Sequence, residues 1–244
     1  MGKTTFLLVD ISNTFTKIAT ATRERLGPTH RLPTAGLSAA AVRRIVKSSG
    51  ARQAVVASVV PAAHERIRPA LPAGYIEVGP SAAGGLVIDY PSPKNIGADR
   101  LANALACATL YGKPAVVVDF GTAVTFDVIS PQGAYIGGVI APGLGMMAEY
   151  LHSRTALLPL IELGQPPRAV GRSTREAMLS GAVHGYRGLV VEILRQIRKE
   201  AFPGRRPAII ATGGDARLIG GSLGLFDRID PHLTLRGLLL IARH

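Results

Sequence analysis

Apolar and polar positions alternate along this chain in two rhythms. Six short runs rich in β-branched residues read as strands: Phe6–Asp10, Phe15–Thr22, Ala54–Val60, Ala115–Asp119, Thr125–Ser130 and Ala208–Thr212. Between them, apolar residues recur at helical spacing. Ser38 is placed to cap a helix that runs through Lys47 and ends at Gly50, and Ala98 to Leu110 forms another. Ser173-Thr174-Arg175-Glu176 has the form of a capping box, in which serine and glutamate satisfy free backbone N–H groups at a helix start. It predicts a long helix to about Glu200, before Pro203-Gly204. Pro231 suits the start of a final helix with Leu235, Leu238 and Leu239 on one face. Strands interleaved with helices indicate an α/β fold.

The pattern also repeats. Asp10-Ile11-Ser12-Asn13-Thr14 follows one apolar strand and leads into another, and Asp119-Phe120-Gly121-Thr122-Ala123 does the same half a chain later. Each is a strand, an Asp at its end, a turn of small residues and a return strand. Two copies at that spacing predict a duplicated lobe, with residues 1–113 forming the first and 114–244 the second.

Composition narrows the options. The chain has 244 residues, 47% hydrophobic and 18% charged, enough to bury a large core and too apolar for extended disorder. No apolar run approaches the ~20 residues that span a bilayer. The first ten residues lack the core and cleavage site of a signal peptide, so a soluble cytoplasmic protein is expected. The single cysteine, Cys107, excludes an intrachain disulfide, and its helical apolar neighbours predict a buried structural thiol. The net charge of +12 comes from scattered lysines and arginines, and aromatics are only 5%. Nothing interleaves the two as base stacking requires, so specific nucleic-acid binding is not expected. The six histidines show no metal-ligand spacing, with His152 and His184 expected at the surface or as caps. No G-x-S-x-G elbow supports a serine hydrolase. Gly2-Lys3-Thr4 echoes the end of a Walker phosphate loop but precedes its strand instead of following it.

The two turns have the chemistry of anion binding. Small residues in a tight turn aim backbone N–H groups at one point, and hydroxyls of Ser12, Thr14 and Thr122 add donors. Asp10 and Asp119 are placed to hold a hydrated cation against phosphates. Either turn alone is equally an ordinary hairpin of Asp, Asn and Gly. The pair favours phosphate binding. Thr212-Gly213-Gly214-Asp215 admits close approach by a nucleoside, or is a plain strand-to-helix turn. In Tyr90-Pro91-Ser92-Pro93-Lys94-Asn95-Ile96-Gly97-Ala98-Asp99-Arg100, Asp99 and Arg100 fall in the first turn of a helix. Phosphorylating an alcohol needs a carboxylate to take its proton, and a guanidinium offers a forked donor to an anion. An Asp stabilised at a helix start beside a surface Arg is the plainer alternative.

In order and across nearly the whole length, these motifs resemble those of type III pantothenate kinases. Asp10–Thr14, with Lys17 following, resembles the family's D-x-G-N-T. Tyr90 and Gly97–Arg100 resemble its tyrosine and G-x-D-R segment. Asp119–Thr125 resembles D-x-G-T-A-x-T, Gly137–Gly143 resembles G-G-x-I-x-P-G, and Thr212–Gly214 resembles T-G-G. The resemblance implies two ribonuclease-H-like lobes of the actin-like ATPase fold, with a cleft between them. It implies transfer of the γ-phosphate of ATP to pantothenate, the first step towards coenzyme A. Asp99 would be the base. Tyr90, Gly97, Ala98, Asp99, Arg100 and Thr174 would bind pantothenate, Thr174 across the interface of a homodimer. Asp10, Ile11, Ser12, Asn13, Thr14, Phe15, Thr16 and Lys17, with Thr122, would bind ATP and Mg2+. Asp119 would hold the monovalent cation, K+ or NH4+. Close relatives of the family regarded as accessory regulators of transcription make a ligand-binding regulator the rival reading. Ser12 departs from the pattern, standing where the family has glycine. A need for φ > 0 there would strain a serine by ~1 kcal/mol or more.

Overall fold

The structure, a computed structural model, describes residues 5–221 and 223–244, so Gly2-Lys3-Thr4 lies outside the described residues. Two compact units emerge. One comprises Met1–Tyr111, Gly133–Ile136 and His232–His244, the other Gly112–Gln132 and Gly137–Pro231.

The first unit is built on β1 (Phe6–Ile11), β2 (Phe15–Ala21), β3 (Leu26–Pro33), β4 (Gln53–Ser58) and β5 (Ile76–Glu77), in the spatial order β3-β2-β1-β4-β5. Strand β2 runs antiparallel to β1 and β3, while β4 is parallel to β1 and β5. The other sheet contains β6 (Ala115–Phe120), β7 (Ala123–Ile129), β8 (Tyr135–Pro142), β9 (Ala208–Gly213) and β10 (Arg228–Ile229), in the order β8-β7-β6-β9-β10. Its central β6 is antiparallel to β7 and parallel to β9, which is parallel to β10. Strand order therefore repeats, and so do the directions of β6, β7, β9 and β10 relative to their counterparts, as the duplicated motif predicts. In both sheets the Asp of the motif is the penultimate residue of the central strand. Every residue of β1 is buried, which is why it reads as an unbroken apolar run and not an alternating one.

Seven helices are described: α1 (Ala39–Ser49), α2 (Pro61–Ile67), α3 (Ala98–Leu110), α4 (Leu144–Arg154), α5 (Thr174–Ala201), α6 (Ala216–Gly220) and α7 (Leu233–Arg243). Their ends follow local chemistry. Ser38 Oγ accepts from the Ala41 N–H at 3.3 Å, and Gly50, at φ 65°, closes α1 in the left-handed region. The Ser173 hydroxyl accepts from the Glu176 N–H at 3.2 Å, and Glu176 reaches back to the Arg172 N–H at 2.8 Å. The glutamate thus serves the donor one residue before the serine.

The last helix opens at Leu233 instead of Pro231 and packs on α3, β1 and β4, so it belongs to the first unit despite its place in the chain. Leu235, Leu238 and Leu239 are all buried there. A Cβ on Gly237 would overlap the Ala102 carbonyl, so the backbones of α7 and α3 touch directly. Cys107, on α3, is fully buried. His184 is exposed, and His152 is exposed with its Nδ1 2.9 Å from the Leu158 carbonyl oxygen. Strands β3 and β8 and helices α2 and α4 carry no clear sequence signal. Strand β3 is a largely exposed edge, β8 contains paired glycines, and α4 leaves Met146, Tyr150 and Leu151 exposed. Among the described residues no helix is long and apolar enough to cross a membrane.

Candidate active site

The first turn joins β1 to β2 through Ser12, Asn13 and Thr14. Asp10 is buried, opposite Lys17 on β2, and Lys17 is opposite Arg31 on β3. The Ser12 N–H donates to Phe15 O at 3.2 Å, and the Ser12 hydroxyl donates to Asp10 Oδ1 at 3.2 Å. No non-glycine residue among those described has positive φ, so Ser12 sits without the backbone strain a glycine requirement would impose. Its hydroxyl instead holds the Asp10 carboxylate.

A residue beyond β3 fastens this turn. Thr34, buried, donates its hydroxyl proton to Ser12 O at 2.7 Å, and its N–H donates to Thr14 O at 3.0 Å. Thr16 Oγ1 lies 3.0 Å from Thr34 Oγ1. With Thr34's only hydroxyl proton committed to Ser12, Thr16 must be the donor. Arg66 on α2 holds the strap from the other side, donating to Thr34 O at 3.0 Å and Leu37 O at 3.3 Å. Asn13 and Thr14 are left exposed at the tip.

The second turn, Gly121-Thr122, is fixed by backbone proximity. The Gly143 N–H donates to Thr122 O at 3.0 Å, and a Cβ on Gly143 would overlap both turn carbonyls. Gly143 has φ −69°, so this position needs glycine for space and not for conformation. Tyr186 on α5 anchors the preceding residue, its hydroxyl donating to Pro142 O at 3.1 Å. Burial pushes that hydroxyl's pKa well above its ordinary value, with Asp215 adding to the effect. On the other side, Gly213 has φ 94°, and a Cβ there would overlap Phe120 O and lie 2.6 Å from Asp119 Oδ1. Asp119, half-buried, is the Cα partner of Thr212, whose buried hydroxyl has no hydrogen-bond partner among the described residues. The Asp215 N–H donates to Phe120 O at 3.4 Å, and burial raises the Asp215 carboxyl pKa.

The third group lies at the start of α3. Gly97 is the N-cap, and a Cβ there would come 2.6 Å from Asp99 Oδ1. The same oxygen accepts from the Arg100 N–H at 2.8 Å. Arg100 lies over the Tyr135 ring at 5.7 Å, and Tyr90 meets that ring edge-on at 6.1 Å. Tyr135 is pinned by backbone bonds to Val87 O and from the Asp89 N–H, both 2.9 Å. This tyrosine, which no motif singles out, brings Tyr90 and the Gly97–Arg100 segment together within the first unit. Ala98 is buried. Thr174 is the first residue of α5, exposed, in the second unit. Thr34 and Tyr135 escape a sequence reading because each is a common residue type with no neighbouring motif. Gly143 falls inside a glycine-proline motif, but its neighbour is not legible there.

Residues 6–196 match the sequence profile of the type III pantothenate kinases. The type III pantothenate kinase of Akkermansia muciniphila is 49% identical over 239 residues, covering 98% of each chain. That of Methylacidiphilum infernorum is 44% identical over 235 residues, covering 96% of this chain and 87% of the relative. Among solved structures, a conserved protein assigned to the Baf family of transcriptional activators from Campylobacter jejuni superposes with a TM-score of 0.61 at 20% identity, covering 97% of both chains. An archaeal actin homolog gives 0.53 at 12% identity, covering 97% of this chain and 99% of the other. At those identities the structural likenesses speak for the fold, which is that of the two-lobed actin-like ATPases.

Proposed function

The chain belongs to the type III pantothenate kinase family, and from that premise we propose how its residues divide the family's reaction among themselves. The protein is an enzyme, a pantothenate kinase, acting in coenzyme A biosynthesis. The observation that supports the division most is the repeated hairpin: two central strands, each with a penultimate Asp followed by a turn with exposed small residues.

ATP binds at the first turn through Asp10, Ile11, Ser12, Asn13, Thr14, Phe15, Thr16 and Lys17, and the family motif at Thr122 assigns that residue to ATP as well. Turn N–H groups and Lys17 neutralise phosphate charge. Mg2+ fits the Asp10 carboxylate, which keeps one oxygen bonded to Ser12. Held there, Mg2+ would neutralise phosphate charge. A monovalent cation fits Asp119 and Thr212, Cα partners across β6 and β9, since a buried hydroxyl with no partner among the described residues is an oxygen donor in want of a cation or proton donor.

On the acceptor side, Arg100 and Tyr90 grip the pantothenate carboxylate and hydroxyls. Asp99 accepts the proton of the primary hydroxyl as that oxygen attacks the γ-phosphorus. The bond to the β,γ-bridging oxygen breaks and ADP leaves. Gly97 keeps the space above the carboxylate open. Thr174 completes the site across a homodimer, and the enzyme works in the cytoplasm, where its soluble substrates are.

Asp99→Asn is expected to lower kcat by roughly 10²- to 10⁴-fold in a coupled ATPase assay, the range for a lost general base. ATP affinity by calorimetry should hardly change. Near-normal turnover would remove Asp99 from the reaction. Replacing K+ and NH4+ by Na+ should abolish turnover, and full activity in Na+ alone would remove the Asp119 cation site.

A further inference from the structure

Asp10, Lys17 and Arg31 are successive Cα partners across β1, β2 and β3. Directly opposed residues on antiparallel strands project from one face. A carboxylate and two cations therefore stand in a row at the end of the sheet that carries the first turn. Adjacent strands are ~4.8 Å apart, so like charges at directly opposite positions repel. Neither Lys17 nor Arg31 makes an ion pair with any described residue. Two neighbouring cations facing a single carboxylate leave a net positive charge, a cost to the free protein that a polyanion would relieve.

Arg31 is also held in place. Its Cζ lies 3.4 Å from the centroid of the Phe15 ring, and Phe15 is the residue immediately after the turn. Stacking engages the flat face of a guanidinium and leaves its N–H donors directed outward in their plane. The side chain is exposed, and stacking lowers the rotamer freedom it would lose on gripping an anion.

We propose that Arg31 is a phosphate-binding residue of this kinase, gripping the polyphosphate chain of the nucleotide beside Lys17 and favouring tri- and diphosphates over the monophosphate. This rests on the reading of Asp10–Lys17 as the nucleotide site. Arg31 lies outside every motif that points to that site, on an edge strand with no apolar pattern. Phe15 becomes its positioning residue, and the Asp10–Lys17–Arg31 row is a single electrostatic unit.

The test is calorimetric titration of the full-length protein with Mg2+ and ATP, ADP or AMP. Arg31→Ala should weaken ATP by about ten- to a hundredfold, the scale of a lost charge-assisted hydrogen bond, and leave AMP within about twofold. Arg31→Lys should recover only part of the loss, because lysine lacks the fork. Phe15→Leu should give a smaller loss with the same ordering of nucleotides. The pantothenate KM should not move. Lys17→Ala is the control. If it weakens ATP and Arg31→Ala does not, the inference is overturned and the nucleotide site stands. If neither variant weakens ATP, both readings fall. Equal losses for ATP and AMP in Arg31→Ala, with a lowered melting temperature, would make Arg31 a structural cover for Phe15 and overturn its phosphate role.

Discussion

The two Asp turns share a strand plan and differ in what fixes them. The first is strapped by side chains. Thr34, Thr16 and Ser12 form a hydroxyl network over Asp10, and Arg66 secures it from α2. The second is held by close backbone contact. There, Gly143 and Gly213 bring backbone against backbone on either side of the Gly121-Thr122 hairpin and Asp119. A hydroxyl strap has some give, because a shorter or longer side chain can re-form part of it. A glycine contact has none, because the first added carbon meets a carbonyl oxygen. The first turn thus tolerates some side-chain change at its strap, whereas the second tolerates none at Gly143 and Gly213.

The largest expected effect tests the intolerant turn. Gly143→Ala and Gly213→Ala should each destabilise the protein by roughly 3 kcal/mol or more, as expected when a Cβ is forced into backbone. Denaturant unfolding would measure it. A loss below about 1 kcal/mol in either variant would show that this turn yields after all.

Thr34→Val keeps the shape and deletes the hydroxyl, leaving Ser12 O and the Thr16 hydroxyl without their partner. A loss of about 1–3 kcal/mol is expected, with a raised ATP KM and little change in the pantothenate KM. Thr34→Ser should restore most of both. No rescue by serine would mean that the methyl packing, not the strap, holds the first turn.

Smaller still is Ser12→Gly. Because Ser12 carries no positive-φ strain, the family's glycine should bring no stability gain and should cost up to ~1 kcal/mol through one lost hydrogen bond and a looser chain. A stabilised variant would show that the serine is strained.

The smallest effect concerns Asp215, whose N–H bonds to Phe120 O at the end of β6. Burial raises its carboxyl above the ordinary 3.8, so folding favours the protonated acid. That contribution is complete below the ordinary pKa and is lost as pH climbs through the raised folded value. Asp215→Asn should therefore raise the melting temperature at neutral pH by roughly one to three degrees, and the gain should vanish below ~pH 3. An equal gain at both pH values would assign the effect to something other than charge.

Much of the scaffold was legible without coordinates because its causes are local. Strands β1 and β6 announce themselves as buried apolar runs, and Ser38, Gly50 and Ser173 mark helix ends through bonds made within a few residues. Both Asp-turn motifs, Asp99 and the Gly97 entry could be picked out for the same reason. Strand β3 was not legible, since an exposed edge needs no apolar face and is defined only by its pairing with β2.

By itself, then, the sequence determined the duplicated strand-turn-strand units, the capped ends of α1 and the start of α5, and the residue types offered to a phosphate. All of these follow from periodicity, caps and turns over short stretches of chain. Only the tertiary structure decided that Thr34 fastens a turn 22 residues earlier in the chain, that Tyr135 unites Tyr90 with Arg100, and that α7 closes the first unit. It likewise set Arg31 beside Lys17. Such contacts join residues far apart in the chain, and no local propensity encodes a partner that only folding brings near.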